Sequence, residues 1–145
     1  MENTILRVKR ELVKNPRNII FGKINEGNSL ISEQGVYFDF LRNADGLRAG
    51  AIDLWGYKDL LRNQYMVQDK EKWTCIGQID YIPLMLKKES NEVYIYNEML
   101  EEDKQWILIS HFYEFIMNYV FGDKYCMIVP NCNEDQWYKF IKMYT

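Results

Sequence analysis

Apolar positions along this chain follow two periods, and the switch between them marks out the elements. From Trp73 to Tyr96, WTCIGQIDYIPLMLKKESNEVYIY, the residues Ile76, Leu84, Leu86, Val93 and Ile95 recur at or near every second position, and Lys88-Glu89-Ser90-Asn91 interrupts them with turn-forming residues. A period of two sends successive side chains to opposite faces, so this stretch predicts three strands in a meander. Such a sheet has an apolar face that needs cover. Helical patterns supply it on both sides. Thr4 to Asn15 sets Ile5, Val8 and Leu12 on one stripe with Leu6 and Val13 beside it, and Pro16 predicts the end, because the residue before a proline avoids helical backbone.

The connecting segments are shorter. Ile19-Ile20-Phe21 fits a strand or a packed loop; Tyr37, Phe40 and Leu41 predict a short helix closed by Asn43-Ala44-Asp45-Gly46. Residues 48–55 alternate as one strand stopped by Gly56, and Leu60-Leu61 mark a helical excursion within 57–64. After the acidic connector Asn97 to Asp103, Trp106-Ile107-Leu108-Ile109 predicts a further strand. Ser110 then fits an N-cap for a helix carrying Phe112, Phe115, Ile116, Tyr119 and Val120, with Gly122 as its left-handed end. Tyr125 to Val129 reads as extended and is broken by Pro130, while Asn133 and Gln136 resemble a capping box before a terminal helix of Trp137, Phe140, Ile141 and Tyr144. The pattern is that of an α+β domain.

Composition narrows the function. At 145 residues the chain is expected to form one domain, 1–145, and 48% hydrophobic residues with 11 Tyr, 7 Phe and 4 Trp supply an aromatic core. The net charge of −3 excludes the basic footprint of a nucleic-acid binder. Its distribution is uneven: residues 1–25 hold six basic against two acidic residues, a net +4, and residues 80–103 hold two basic against seven acidic, a net −5. An acidic field beside the sheet steers a basic partner and repels nucleic acid, unless these charges are only a solvated face. Cys75, Cys126 and Cys132 are odd in number without CxxC spacing, which predicts free thiols. With no apolar run of signal-peptide or membrane-spanning length, the expectation is a cytoplasmic chain with no membrane partner.

Catalytic signals are weak. His111 is the lone histidine, so a multi-histidine metal site is excluded, and a surface or structural role is expected. Spacing leaves open a dyad of His111 with Cys126 or Cys132, but no cysteine sits in a nucleophile motif. Asp53 with Asp80 is the obvious carboxylate pair, yet among 21 acidic residues chance proximity is expected. Gly46, Gly50 and Gly56 lack phosphate-loop spacing, and Trp55, Trp73, Trp106 and Trp137, without basic interleaving, read as core aromatics. No cofactor or metal is expected.

Four strings carry a family resemblance. They are Tyr37-Phe38-Asp39-Phe40-Leu41-Arg42-Asn43-Ala44-Asp45-Gly46, Trp73-Thr74-Cys75-Ile76-Gly77-Gln78, Glu92-Val93-Tyr94 and Ser110-His111-Phe112-Tyr113-Glu114-Phe115-Ile116. In this order they resemble the SUKH superfamily, which unites bacterial immunity proteins with the yeast cell-wall assembly regulator family. The match covers residues 33–121 and leaves 122–145 as a C-terminal helical extension. The resemblance implies a mostly antiparallel, curved sheet of about five or six strands, covered by N-terminal and C-terminal helices, in a protein that is not an enzyme. It implies a partner that is a cognate secreted toxin domain, often a nuclease, neutralised inside the producing bacterium. Asp80, Tyr81, Glu98, Glu101, Glu102 and Trp106 are then the expected partner-binding residues, the acids setting the association rate and Tyr81 and Trp106 acting as anchors. The alternatives are an intracellular regulatory module with a non-toxin partner, and a small hydrolase or metal-dependent enzyme with a perturbed carboxylate or thiol in a cleft.

Overall fold

A computed structural model describes residues 1–15 and 20–144. Seven strands form one antiparallel sheet in sequence order: β1 (Gly22–Ile24), β2 (Leu47–Ala49), β3 (Ile52–Leu54), β4 (Trp73–Ile79), β5 (Ile82–Lys87), β6 (Glu92–Tyr96) and β7 (Trp106–His111). The helices are α1 (Glu2–Lys14), α2 (Val36–Asn43), α3 (Tyr57–Arg62), α4 (Phe112–Glu114), which runs on as a π-helix over Phe115–Val120, α5 (Tyr125–Ile128) and α6 (Gln136–Tyr144). The fold is α+β, as the two periods require, with more strands than expected. The extra one arises where residues 48–55 turn back as a β2–β3 hairpin: Gly50 has φ +59°, and a Cβ there would lie 2.2 Å from the Tyr125 hydroxyl oxygen. The outer sides of β4 and β7 curl toward each other. Trp73 and Trp106 stack with centroids 4.3 Å apart across two intervening strands, whose spacing alone would hold their backbones at least about 14 Å apart in a flat sheet.

The inner face of the meander, Ile76, Leu84, Leu86 and Val93, belongs to one buried core with Ile5, Val8 and Leu12 of α1, Phe40 and Leu41 of α2, Phe112, Phe115 and Ile116, and Trp137, Phe140 and Ile141 of α6. Leu6 and Val13, beside the α1 stripe, are exposed. Helix α1 ends at Lys14 with Asn15 in non-helical backbone, just ahead of Pro16 as expected, while Pro16 itself and Ile19 of the next apolar run lie outside the described residues.

Several local expectations give way. Ser110 is not a cap: it and His111 pair with Val93 and Glu92, so β7 continues to His111, which takes the N-cap place in extended backbone. The segment carrying Phe115, Ile116, Tyr119 and Val120 is wound in the wider π turn rather than an α-helix, and the Phe121 amide donates to the Ile116 carbonyl at 3.1 Å. Gly122 is not left-handed, since only Gly35, Gly46 and Gly50 among the described glycines have positive φ. Tyr125 to Ile128 is helical rather than extended. The α6 cap is Asp135, adjacent to the helix, not Asn133: its Oδ1 accepts from the Trp137 and Tyr138 amides at 2.8 and 3.3 Å. Its Oδ2 accepts the Tyr125 hydroxyl at 2.6 Å, while the Ala51 amide donates to that hydroxyl, so one contact chain ties α6 and α5 to the β2–β3 turn. Burial and the Asp135 hydrogen bond push the Tyr125 phenol well above its ordinary range.

Free thiols are corrected for two of the three cysteines. Cys126 and Cys132, six residues apart, form a disulfide, which also removes both from any dyad with His111; only Cys75 is free, and it is buried. Replacing both bonded cysteines with alanine is expected to cost about 2 kcal/mol, the loop-closure value for so short a ring. Urea unfolding with and without the pair checks this, and an unchanged midpoint would contradict it. Among the described residues no helix is long and apolar enough to cross a membrane.

Candidate functional site

The outer face of the meander carries a second apolar cluster. Val67, Cys75 and Met85 are buried there, with Trp55, Trp73, Tyr94 and Tyr96 packed against them. Pleating explains the set: Met85 pairs with Cys75 on one side and with Tyr94 on the other. A bulge between Cys75 and Gly77 offsets β4, and Gln64 clamps it. The Gln64 amide nitrogen donates to the Cys75 and Leu60 carbonyls at 2.7 and 2.8 Å, and its oxygen accepts the Cys75 amide at 2.9 Å. The chain after α3 is thereby held so that Val67 roofs the cluster. On the inner side the Tyr37 hydroxyl shares its proton between the Trp55 and Ile76 carbonyls, at 2.6 and 3.0 Å, and burial raises its pKa.

Trp106 completes the face. Besides stacking on Trp73, it lies 4.5 Å from the Tyr96 ring centroid and 6.3 Å from that of Tyr94, yet remains 39% exposed. An open groove of about 470 Å³ runs along it, lined by Met66, Val67, Asp69, Trp73, Met85, Tyr96, Glu102, Gln105 and Trp106. The β6–β7 loop forms one wall and is held by its own polar groups: the Asn97 amide donates to the Gln105 carbonyl at 2.8 Å, and the Gln105 side chain donates to the Leu100 and Glu98 carbonyls at 3.2 and 3.4 Å. This fixes the loop backbone while leaving Glu98, Glu101, Glu102 and Asp103 exposed. Glu101 meets Lys104 at 3.6 Å, an exposed pair of little energetic weight.

Four of the six expected residues, Glu98, Glu101, Glu102 and Trp106, thus gather at the start of β7. Asp80 and Tyr81 lie at the same end of the meander but on the other side of β5 and β6, and neither lines the groove. They form the β4–β5 turn, both at positive φ, and the Asp80 amide donates to the Ala51 carbonyl at 3.2 Å, beside the β2–β3 turn. Tyr81 is 88% exposed, a position where it packs little surface. The tryptophans are not uniformly core: Trp137 is fully buried, Trp55 and Trp73 are half-buried, and Trp106 is exposed. Trp73, Tyr94 and Tyr96, which the inner-face pattern passed over, make up most of the patch.

The groups considered for catalysis are otherwise engaged. The Arg48 Nε donates to Asp53 at 2.9 Å and the Gln78 amide donates to it at 3.4 Å, while Asp80 sits in the turn. Burial pushes the Cys75 thiol up to about 11, so it stays protonated and inert near neutral pH. His111 is exposed. Among the described residues no group of three or more His, Cys, Asp or Glu is placed to hold a metal ion. In comparison with known proteins, the chain matches no family model and no curated protein.

Proposed function

We propose that this chain is a non-catalytic immunity protein that binds and neutralises a cognate toxin domain with a basic surface, such as a nuclease, through the Trp73–Trp106 patch and the acidic loop beside it. The observation that carries the reading is a large aromatic that stays 39% exposed although three aromatic neighbours surround it, next to four exposed acids. Half-open tryptophan and tyrosine in a groove are the chemistry of an interface anchor, and the acids match a surface built to hold phosphates. The likeness of the four strings to the SUKH superfamily supports the same reading, which needs no cofactor, metal, nucleic acid or membrane. Cytoplasmic placement belongs to the proposal and adds a demand. A reducing compartment does not sustain the Cys126–Cys132 bond, so binding has to survive its reduction.

The test is capture with this chain as bait from a lysate of its own organism, then calorimetry against what is retained. A one-to-one complex with a small basic domain, and loss of that domain's toxicity, is the expected result; a kinase or cell-wall enzyme as partner would overturn it in favour of a regulatory module. The combined changes Glu98→Gln, Glu101→Gln, Glu102→Gln and Asp103→Asn should slow association about tenfold at low salt and leave dissociation nearly unchanged. Equal association rates would remove electrostatic steering.

A further inference from the structure

Among the described residues the sheet ends on β7, whose outer edge no strand pairs. There β7 pairs only with β6, and natural edges of this kind are blunted by charges, prolines, cover or shortness. The opposite edge, β1, has three residues and packs beside α1, whereas β7 has six and contains no Lys, Arg, Asp, Glu or Pro. Trp106, Ile107 and Leu108 are exposed at 39%, 42% and 51%, so apolar side chains flank the edge on both faces. Register identifies the unpaired backbone. Because the Asn97 amide bonds the Gln105 carbonyl, antiparallel alternation turns Gln105 and Ile107 toward β6 and points the N–H and C=O of Trp106 and Leu108 outward.

We propose that β7 is a strand-addition site, and that its occupant is an extended basic segment of the partner protein. This rests on the binding reading above and supplies its geometry. Charge complementarity selects the occupant: a strand lying along β7 runs past Glu98, Glu101, Glu102 and Asp103 at its Trp106 end, where lysine or arginine meets them. A second copy fits worse. Two-fold pairing of β7 with itself sets that acidic loop against residues 111–114 of the other copy, which hold no Lys or Arg, and the nearby Lys124 is already paired with Glu114 at 3.0 Å.

The probe is a seven-residue, end-capped peptide of alternating lysine and valine, with an analogue methylated at every amide nitrogen, each titrated into the isotope-labelled full chain at low ionic strength. The plain peptide is expected to shift and protect the Trp106 and Leu108 amides, and the methylated one to bind at least about tenfold more weakly, having lost its donors. Leu108→Pro removes one outward N–H without touching the β6 ladder, since proline is tolerated on an edge. It should weaken the plain peptide about tenfold, while Leu108→Ala, which keeps the N–H, changes it less than about threefold. The proposal is overturned by equal binding of the two peptides, by equal effects of the two substitutions, by no binding of the plain peptide, or by a dimer of the chain that Leu108→Pro dissolves. Equal, salt-dependent binding of both peptides that disappears when the four acids are neutralised would remove strand addition and leave the preceding reading standing. Loss of that salt dependence as well would remove both.

Discussion

Trp137→Ala is expected to lower stability by about 3–5 kcal/mol, the range for emptying a core site of an indole. Trp137 is wholly buried, its ring lies 5.5 Å from that of Phe140 and 6.0 Å from that of Phe121, and its Nε1–H donates to the Val120 carbonyl at 2.8 Å. Truncation therefore removes a large contact surface and leaves a buried acceptor without its donor. A domain of this size has a total of about 5–15 kcal/mol, so the variant stands near the limit of folding. Urea unfolding measures the loss. A change under about 1 kcal/mol would mean that α6 contributes little to the core, contrary to its packing.

The second large effect is on binding. Trp106→Ala should weaken the complex with the captured basic domain about 30-fold or more, as loss of an aromatic anchor does, while costing the free chain only about 1–2 kcal/mol of stability. The separation follows from its partial exposure: much of its surface is still in water in the free chain and is available to a partner. Tyr81→Ala serves as the contrast, because its side chain is almost wholly in solvent at a turn apart from the patch. Its expected effect on affinity is less than about threefold, since scattered exposed residues rarely carry binding energy. Calorimetry on both variants checks the pair, and the reverse order would move the anchor from β7 to the β4–β5 turn.

The meander was legible because Leu84, Leu86, Val93 and Ile95 alternate strictly and a four-residue polar turn separates them. The β2–β3 hairpin was not. Its turn is carried by Gly50 and Ala51, and Ala49 and Ile52, which pair across it, look continuous in a reading of apolar residues alone. Helix α5 has four residues, too few to show a period, and Tyr-Cys-Met-Ile has strand-like composition; its helical turn is what brings Cys126 to Cys132. The acidic half of the candidate site was visible as a run of charge. Its aromatic half was hidden in the other phase of the same strand: Tyr94 and Tyr96 alternate with Val93 and Ile95, and large apolar residues in both phases signal a sheet covered on both faces. Asp80 and Tyr81 are near the acidic run in sequence, and the antiparallel meander returns the β6–β7 loop to the same end of the sheet as their turn, but β5 and β6 stand between the two, and the turn itself bonds to the β2–β3 side.

Hydrogen–deuterium exchange of the chain, alone and saturated with the captured basic domain, tests most directly whether the patch, the acidic loop and β7 form the binding face. The account predicts slowed exchange concentrated in residues 96–111 and around Trp73, with the β2–β3 hairpin unchanged. Protection confined to the β2–β3 and β4–β5 turns, with β7 exchanging as in the free chain, would contradict it.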